Sequence, residues 1–310
     1  MAQVVEVAQT LTAAIERVVY GKREVVRHTL VALFAGGHVL VEDVPGVGKT
    51  MLARALARSV GGTARRIQFT PDLMPADVTG VTLYEPHTGA FRFRPGPVFC
   101  NILLADEINR ASPKTQSALL ECMEEETVTV DGEVHHVPHP FLVIATQNPS
   151  ELEGVYPLPE SQLDRFMLRL HLGYPAREHE RTLLRRDPVA DPLAELEPVV
   201  DLATIIACQQ QVAEVHADDR IDDYLLDLIE ATRRDERIRL GASPRAALAL
   251  STAARALALM SGRDFVRPDD IQELAPSALA HRLLLHSAAR GTSGSAESIV
   301  RDLVARLPVP

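Results

Sequence analysis

The sequence predicts an α/β fold: a parallel sheet packed between helices, followed by a smaller all-helical unit. Four short, nearly uninterrupted apolar runs alternate with helical patterns in the first half of the 310-residue chain. One of these runs passes through a glycine-rich turn straight into a helix. From about residue 175 the strand-like runs stop and helical patterns take over. Continuous apolar runs suit strands buried on both faces, and strand–helix alternation is what a parallel sheet requires.

In chain order, HVLVEDV (38–44) is a β-branched run, and KTMLARALARSV after it places apolar residues at helical spacing. RRIQF (65–69), NILLADE (101–107) and PFLVIATQN (140–148) supply three more buried strands. Between the second and third runs, DVTGVTLYEPHTGAFRFRPGPVF (77–99) holds alternating Val81 and Leu83, a Pro86-His87-Thr88-Gly89 turn, then alternating Phe91 and Phe93. That pattern reads as a β-hairpin inserted into the α/β unit; a long surface loop is the plainer reading. Beyond residue 175, PAREHERTLLRR, DLATIIACQQQVAEV, IDDYLLDLIEATRRDE, SPRAALALSTAARALALM and RPDDIQELAPSALAHRLLL read as helices. Ser243 and Asp269 stand near two helix starts, each with a proline in the first turn. Leu248, Ala249, Thr252 and Leu259 are expected on one buried stripe. RGTSGSAES (290–298) reads as a flexible connection before a short last helix. We place the division at 1–174 for the α/β unit and 175–310 for the helical one.

Composition narrows the chemistry. Hydrophobic residues make up 46% and charged residues 24%, an ordinary globular mix. No stretch reaches the ~18 apolar residues of a membrane span, and the opening segment carries Glu6 and Glu16 rather than a basic leader. Cys100, Cys122 and Cys208 are isolated, forming no metal or redox pair, so a reduced, cytoplasmic setting is expected. A net charge of -10 disfavours nucleic acid as the main ligand. Lysine is confined to Lys22, Lys49 and Lys114, which makes a lysine in the glycine-rich turn hard to ascribe to chance.

That turn is the first chemical signal. VLVEDVPGVGKTMLARALA matches Gly-x-x-x-x-Gly-Lys-Ser/Thr except that Asp43 stands where the first glycine belongs. Gly46 and Gly48 free the backbone to point its N–H groups at a phosphate beside the helix N-terminus. Lys49 would reach the β- and γ-phosphates and Thr50 would give its hydroxyl to Mg²⁺. The nucleotide-binding segment runs through Pro45, Gly46, Val47, Gly48, Lys49, Thr50 and Met51. A carboxylate near a triphosphate is unfavourable unless directed away, so the Asp43 side chain is expected to turn toward a backbone N–H or an arginine.

ILLADE ends in Asp106 and Glu107, about 57 residues after Lys49. At the carboxyl edge of a parallel sheet, Asp106 would hold Mg²⁺ through water and Glu107 would activate the attacking water. FLVIATQNP ends in Asn148, whose amide can bond both the γ-phosphate and that water. Arg165, in LPESQLDRF, and Arg245, in GASPRAALAL, are guanidiniums suited to stabilising charge on a transferring phosphoryl group.

Together with the wording QFTPDLMPADVTG, GPVFCNILLADEINRASPKTQSALLECMEE and ATQNPSELEGVYPLPESQLDRF, these pieces resemble the MoxR family of AAA+ ATPases from about residue 17 to 260. The resemblance implies an AAA+ P-loop core with its inserted hairpin, a small all-α lid, and ATP with Mg²⁺ as ligands. It assigns Lys49 and Thr50 to Walker A and Asp106 and Glu107 to Walker B. Asn148 becomes sensor 1, and Arg165 a finger acting on a neighbouring subunit, with Arg169 as the other candidate. Arg245 becomes sensor 2, carried by the lid into the same site as Walker A and B. Val19, Tyr20 and Gly21 fall where relatives line the adenine pocket; Arg110 either caps a helix or faces a neighbour. The implied assembly is a homo-oligomeric ring, usually a hexamer, that remodels or matures a client protein, in relatives one with a von Willebrand A domain. A magnesium-chelatase-type motor, a nucleic-acid motor and a non-hydrolysing scaffold are the remaining readings.

Overall fold

The computed structural model describes residues 2–44, 46–148, 154–185, 191, 193–286 and 295–310. Two helices, α1 (Ala2–Glu16) and α2 (Arg23–Phe34), lead into β1 (Val39–Glu42), which turns into α3 (Lys49–Ser59). β2 (Ala64–Gln68), α4 (Pro75–Thr79) and the hairpin β3 (Gly80–Glu85) and β4 (Ala90–Pro95) follow. Next come β5 (Ile102–Asp106), a 3-10 turn (Ile108–Arg110), α5 (Pro113–Glu125), a second hairpin of β6 (Thr127–Val130) and β7 (Glu133–His136), and β8 (Leu142–Gln147). A short α6 (Glu160–Leu163) precedes β9 (Leu168–Leu170).

β1, β2, β5, β8 and β9 form one parallel sheet in the order β2-β5-β8-β1-β9. Alternate side chains of the central strands enter two separate cores, as strand pleating dictates. Val39, Val41, Ile102, Leu104, Leu142 and Ile144 join the core formed with α1, α2, α3 and the C-terminal helices. Leu40, Leu103, Ala105, Val143 and Ala145 join the opposite core with Leu119 and Leu120 of α5 and with Phe166.

The expectation of strands buried on both faces holds for β1, β5 and β8 but not for β2. It is the sheet's edge, and Ile67 is its one buried residue. The inserted hairpin is present, pairing Gly80 with Pro95 through Glu85 with Ala90, although residues 77–79 belong to α4 rather than a strand. Gly80 and Gly96 let the two ends of this insert pass within backbone contact, where a Cβ on either would collide with the other's chain.

The second hairpin and β9 are absent from the sequence reading. TVTVDGEVHH nonetheless carries a hairpin signal, alternation around Asp-Gly, and both Asp131 (φ 51) and Gly132 (φ 84) take the left-handed conformation that turn needs. β9 is three residues long, too short to register as a periodic run.

The C-terminal part contains α7 (Arg177–Leu184), α8 (Leu202–Glu214), α9 (Asp219–Arg234), α10 (Pro244–Met260), α11 (Pro268–Leu279) and α12 (Ala296–Arg306). It is not purely helical, because β10 (Ile238–Leu240) pairs with β11 (Leu284–Leu285). Ser243 caps α10 by accepting from Ala246 N. The expected α10 stripe is displaced: Leu248 is 69% exposed, and Ala246, Leu250, Ala253, Ala254, Leu257 and Ala258 face the core with Leu259. Alanine makes up much of that buried face, letting α10 sit close against α2, α8 and α11. For α11 the cap is Arg267, whose N–H is taken by Asp270 at 2.8 Å, while Asp269 lies in the first turn.

Ser295 caps α12, so the connection expected over 290–298 ends by residue 295, and 290–294 fall outside the described residues. Among the described residues no helix is long and apolar enough to cross a membrane, and no cluster of metal-ligating side chains occurs. The three cysteines are buried and unpaired, and burial pushes the Cys100 and Cys122 thiols up to about 12.

Candidate active site

The carboxyl ends of β1, β5 and β8 lie side by side. Glu42 is level with Gln147 and Ala105 with Ala145, and Asp43 N donates to Gln147 O at 3.2 Å. This adjacency brings the turn after β1, the Asp106-Glu107 pair after β5 and the buried Asn148 after β8 to one edge of the sheet. Gly46 (φ 85) and Gly48 (φ 103) are both left-handed, and apart from their chain neighbours no atom among the described residues lies within 4 Å of where a Cβ would stand on either. The turn therefore faces open space with the N-terminus of α3 behind it, where unpaired N–H groups favour an anion. Gly48 caps α3, and Lys49 and Thr50 open its first turn, with Met51 partly buried behind them. Lys49 Nζ donates back to Asp43 O at 3.0 Å. Val47 is buried; Pro45 lies outside the described residues.

Asp43 is buried and turned away from this opening. Its Oδ1 accepts from Val44 N at 2.9 Å and its Oδ2 from Gly173 N at 2.6 Å. The carboxylate is thus paired with backbone N–H groups, one of the two arrangements expected from the sequence.

Thr146, fully buried on β8, organises the acidic pair. Its hydroxyl donates to Asp106 Oδ1 at 2.6 Å and accepts from Glu107 N at 2.9 Å. Glu107 has φ 56 and ψ 49, an uncommon conformation for a residue with a side chain. It ends the strand abruptly and turns the second carboxylate away from the strand direction.

The exposed edge strand β2 supplies two further partners. Arg66 Nη2 donates to Asp106 Oδ2 and to Gln68 Oε1, each at 2.7 Å. Gln68 Nε2 donates to Glu107 Oε2 at 2.6 Å, and Arg110 Nη1 reaches the same oxygen at 3.0 Å. Arg66, Gln68 and Thr146 were not legible as site residues. Their one early signal is the register that sets Gln68 beside Asp106, which a sequence does not display.

Val19 is buried, Tyr20 stacks on His179 with ring centroids 6.5 Å apart, and Gly21 (φ 67) packs where a Cβ would strike the same imidazole. Lys22 Nζ donates to Tyr174 O at 2.8 Å. Since Gly173 is bonded to Asp43, residues 173–179 tie the Val19–Gly21 segment to the glycine turn.

The two arginines lie elsewhere. Arg165 Nη2 is 3.1 Å from Glu124 Oε2, and Arg245 Nη2 donates to Glu124 Oε1 at 2.9 Å, so one carboxylate holds both. Glu124 follows Met123, whose carbonyl meets His38 Nε2 at 3.0 Å just ahead of β1. Met167 N donates to His38 O at 2.8 Å at the start of β9. Arg165, Arg245 and Glu124 therefore stand at the amino edge of the sheet. The glycine turn stands at the carboxyl edge, about 13 Å away along a four-residue strand. Arg245 was expected in the same site as Lys49; strand direction puts it with Arg165 instead. Arg169 is bound on both sides, to Glu42 at 3.1 Å and Glu297 at 3.3 Å, inside its own chain.

A glycine turn at a helix N-terminus and an acidic strand end on a β9-β1-β8-β5-β2 parallel sheet, with a helical lid, define a P-loop ATPase of the AAA class. Residues 38–168 match the model of the "ATPase family associated with various cellular activities (AAA)", and residues 230–303 match that of the "AAA lid domain". The chain is 53% identical to the uncharacterized protein YeaC of Bacillus subtilis over 96% of its length and 92% of YeaC. It is 43% identical to chaperone MoxR1 of Mycobacterium tuberculosis, over 96% of this chain and 80% of that one. The structure of a candidate ATPase from Cytophaga hutchinsonii superposes with a TM-score of 0.91 at 36% identity, covering 100% of this chain and 97% of that one. The chloroplastic magnesium-chelatase subunit ChlI of rice is more distant, 29% identical over 72% of this chain and 52% of that one. The chain belongs to the MoxR family of AAA ATPases.

Proposed function

We propose that this chain hydrolyses ATP at interfaces between copies of itself and couples the reaction to remodelling or maturation of a partner protein. The observation that carries this reading is the division of charge across the sheet. Lys49, Asp106, Glu107 and Asn148 occupy the carboxyl edge, while Arg165 and Arg245 share Glu124 at the amino edge. A guanidinium there cannot reach its own chain's phosphates, but a second copy packed against that edge receives it.

The glycine turn and the α3 N-terminus bind the triphosphate, with Lys49 on its outer phosphates and Val19 to Gly21 near the base. Thr50 and Asp106 would hold Mg²⁺, which supplies neutralisation of phosphate charge. The donor set fits, because Thr146 already fixes one Asp106 oxygen and leaves the other on the displaceable Arg66. Glu107 takes the proton of the attacking water, and Asn148 orients that water. Arg165 and Arg245 of the adjacent copy stabilise charge on the transferring group. The core and lid divide near residues 174 and 175.

By family analogy the assembly is a hexameric ring in the cytoplasm, and the client is a protein, a von Willebrand A domain among the candidates. Tyr84 and Phe91, exposed and 5.3 Å apart on the first hairpin, offer that client an apolar contact. The test is ATPase activity per subunit against protein concentration: a rise through an assembly threshold supports the reading, and a flat profile overturns it.

A further inference from the structure

The three residues Asp164, Arg165 and Phe166 are gripped from the C-terminal part of the chain. Arg282, at the end of the 3-10 turn Ala280–Arg282, is buried, with 5% exposure. Its Nη2 donates to Asp164 O at 3.0 Å and to Phe166 O at 2.9 Å, the carbonyls on either side of Arg165. Its Nε lies 2.8 Å from Asp164 Oδ1, and its Nη1 donates to Ala278 O at 2.7 Å. The other Asp164 oxygen accepts from Ser243 Oγ at 2.9 Å. His281, kept neutral by burial, places Nε2 2.9 Å from Phe166 O.

A buried guanidinium is costly unless its donors are satisfied. Burial lowers the Arg282 pKa to about 10, which still leaves it charged at neutral pH. Apolar side chains could fill the same space. What they could not do is hold two carbonyls two residues apart, a task that suits the rigid arginine fork. The same lid carries Arg245 two residues beyond Ser243 and sets it on Glu124 beside Arg165.

We propose that Arg282, assisted by Ser243, is a positioning residue for Arg165, so that each subunit's lid sets the geometry of the charge it presents to its neighbour's nucleotide. The inference rests on the reading that Arg165 acts in trans. It makes the lid a transmitter between consecutive sites: a tilt of the lid displaces the backbone on both sides of Arg165.

The experiment mixes full-length variants and reads ATPase activity. Arg165→Ala mixed with Glu107→Gln is the reference pair, since their lesions can fall on different interfaces; no recovery there removes the trans reading and this inference with it. Given recovery in that pair, Arg282→Gln alone should lose tenfold or more of its activity, in line with the ~10²-fold cost of an ångström-scale misplacement. It should recover when mixed with Glu107→Gln and stay low when mixed with Arg165→Ala, because both lesions then spoil the finger. Recovery with Arg165→Ala, failure to recover with Glu107→Gln, or wild-type activity alone would each overturn the proposal while leaving the trans reading intact. Arg282→Lys and Ser243→Ala guard against a folding defect: both should keep the wild-type denaturation cooperativity and repeat the mixing pattern with smaller losses. Wild-type activity in both would equally overturn it.

Discussion

The carboxylate of Asp43 accepts the backbone N–H of Gly173 at 2.6 Å, across 130 residues of sequence. The acid that interrupts the glycine pattern is thereby a strut. It fixes the chain that leaves β9 against the entrance of the phosphate turn, and its second oxygen closes on Val44 N. For Asp43→Gly we expect nucleotide affinity within about tenfold, or ~1.4 kcal/mol, because the side chain faces away from the opening. Stability should fall by about 2 kcal/mol, since two charge-assisted hydrogen bonds are lost. Nucleotide titration and a denaturant midpoint measure the two effects separately.

Lys49→Ala should abolish nucleotide binding, and Glu107→Gln should bind ATP without splitting it. Calorimetric binding and phosphate release distinguish them. Hydrolysis by Glu107→Gln at the wild-type rate would remove its assigned role in activating water.

Arg245 shares Glu124 with Arg165, so its variants should behave as finger variants. Arg245→Ala is expected to recover activity when mixed with Glu107→Gln and to remain low when mixed with Arg165→Ala. Recovery in the second mixture would return Arg245 to its own chain's site.

We expect Arg169 to serve the fold instead. It bridges Glu42 of β1 and Glu297 of α12 in a half-buried setting, and Arg169→Ala should cost about 2–3 kcal/mol of stability. Its residual ATPase activity should not improve on mixing with Glu107→Gln.

His38 predicts an acid limb of stability. Its Nδ1 accepts from Val143 N at 3.1 Å, so Nε2 carries the proton given to Met123 O at 3.0 Å. Burial lowers its pKa to about 4 from an ordinary 6.5. The unfolded chain then binds the proton first, so this contribution is complete above pH 6.5 and declines as pH falls toward 4. The full loss is about 3 kcal/mol. His38→Gln should flatten this limb in denaturation midpoints taken across that range, leaving the slope that His281, also held neutral by burial, contributes in the same direction.

What the sequence by itself determined is what contiguous residues encode. A strand must run into the glycine turn for Gly46, Gly48, Lys49 and Thr50 to face a phosphate, and an apolar run must end at Asp106 and Glu107 to expose them at a sheet edge. The inserted hairpin announces itself by alternation around Pro86 to Gly89, and the second carries the same kind of local signal around Asp131 and Gly132. What only the tertiary structure decided are the pairings between distant segments. Thr146 under both acids, Gln68 on Glu107 and Gly173 on Asp43 depend on strand order and register, which local periodicity does not carry. Arg245 is the sharpest case. Its place in the first turn of α10 was legible, but only the folded chain shows that this turn docks beside Glu124 and Arg165.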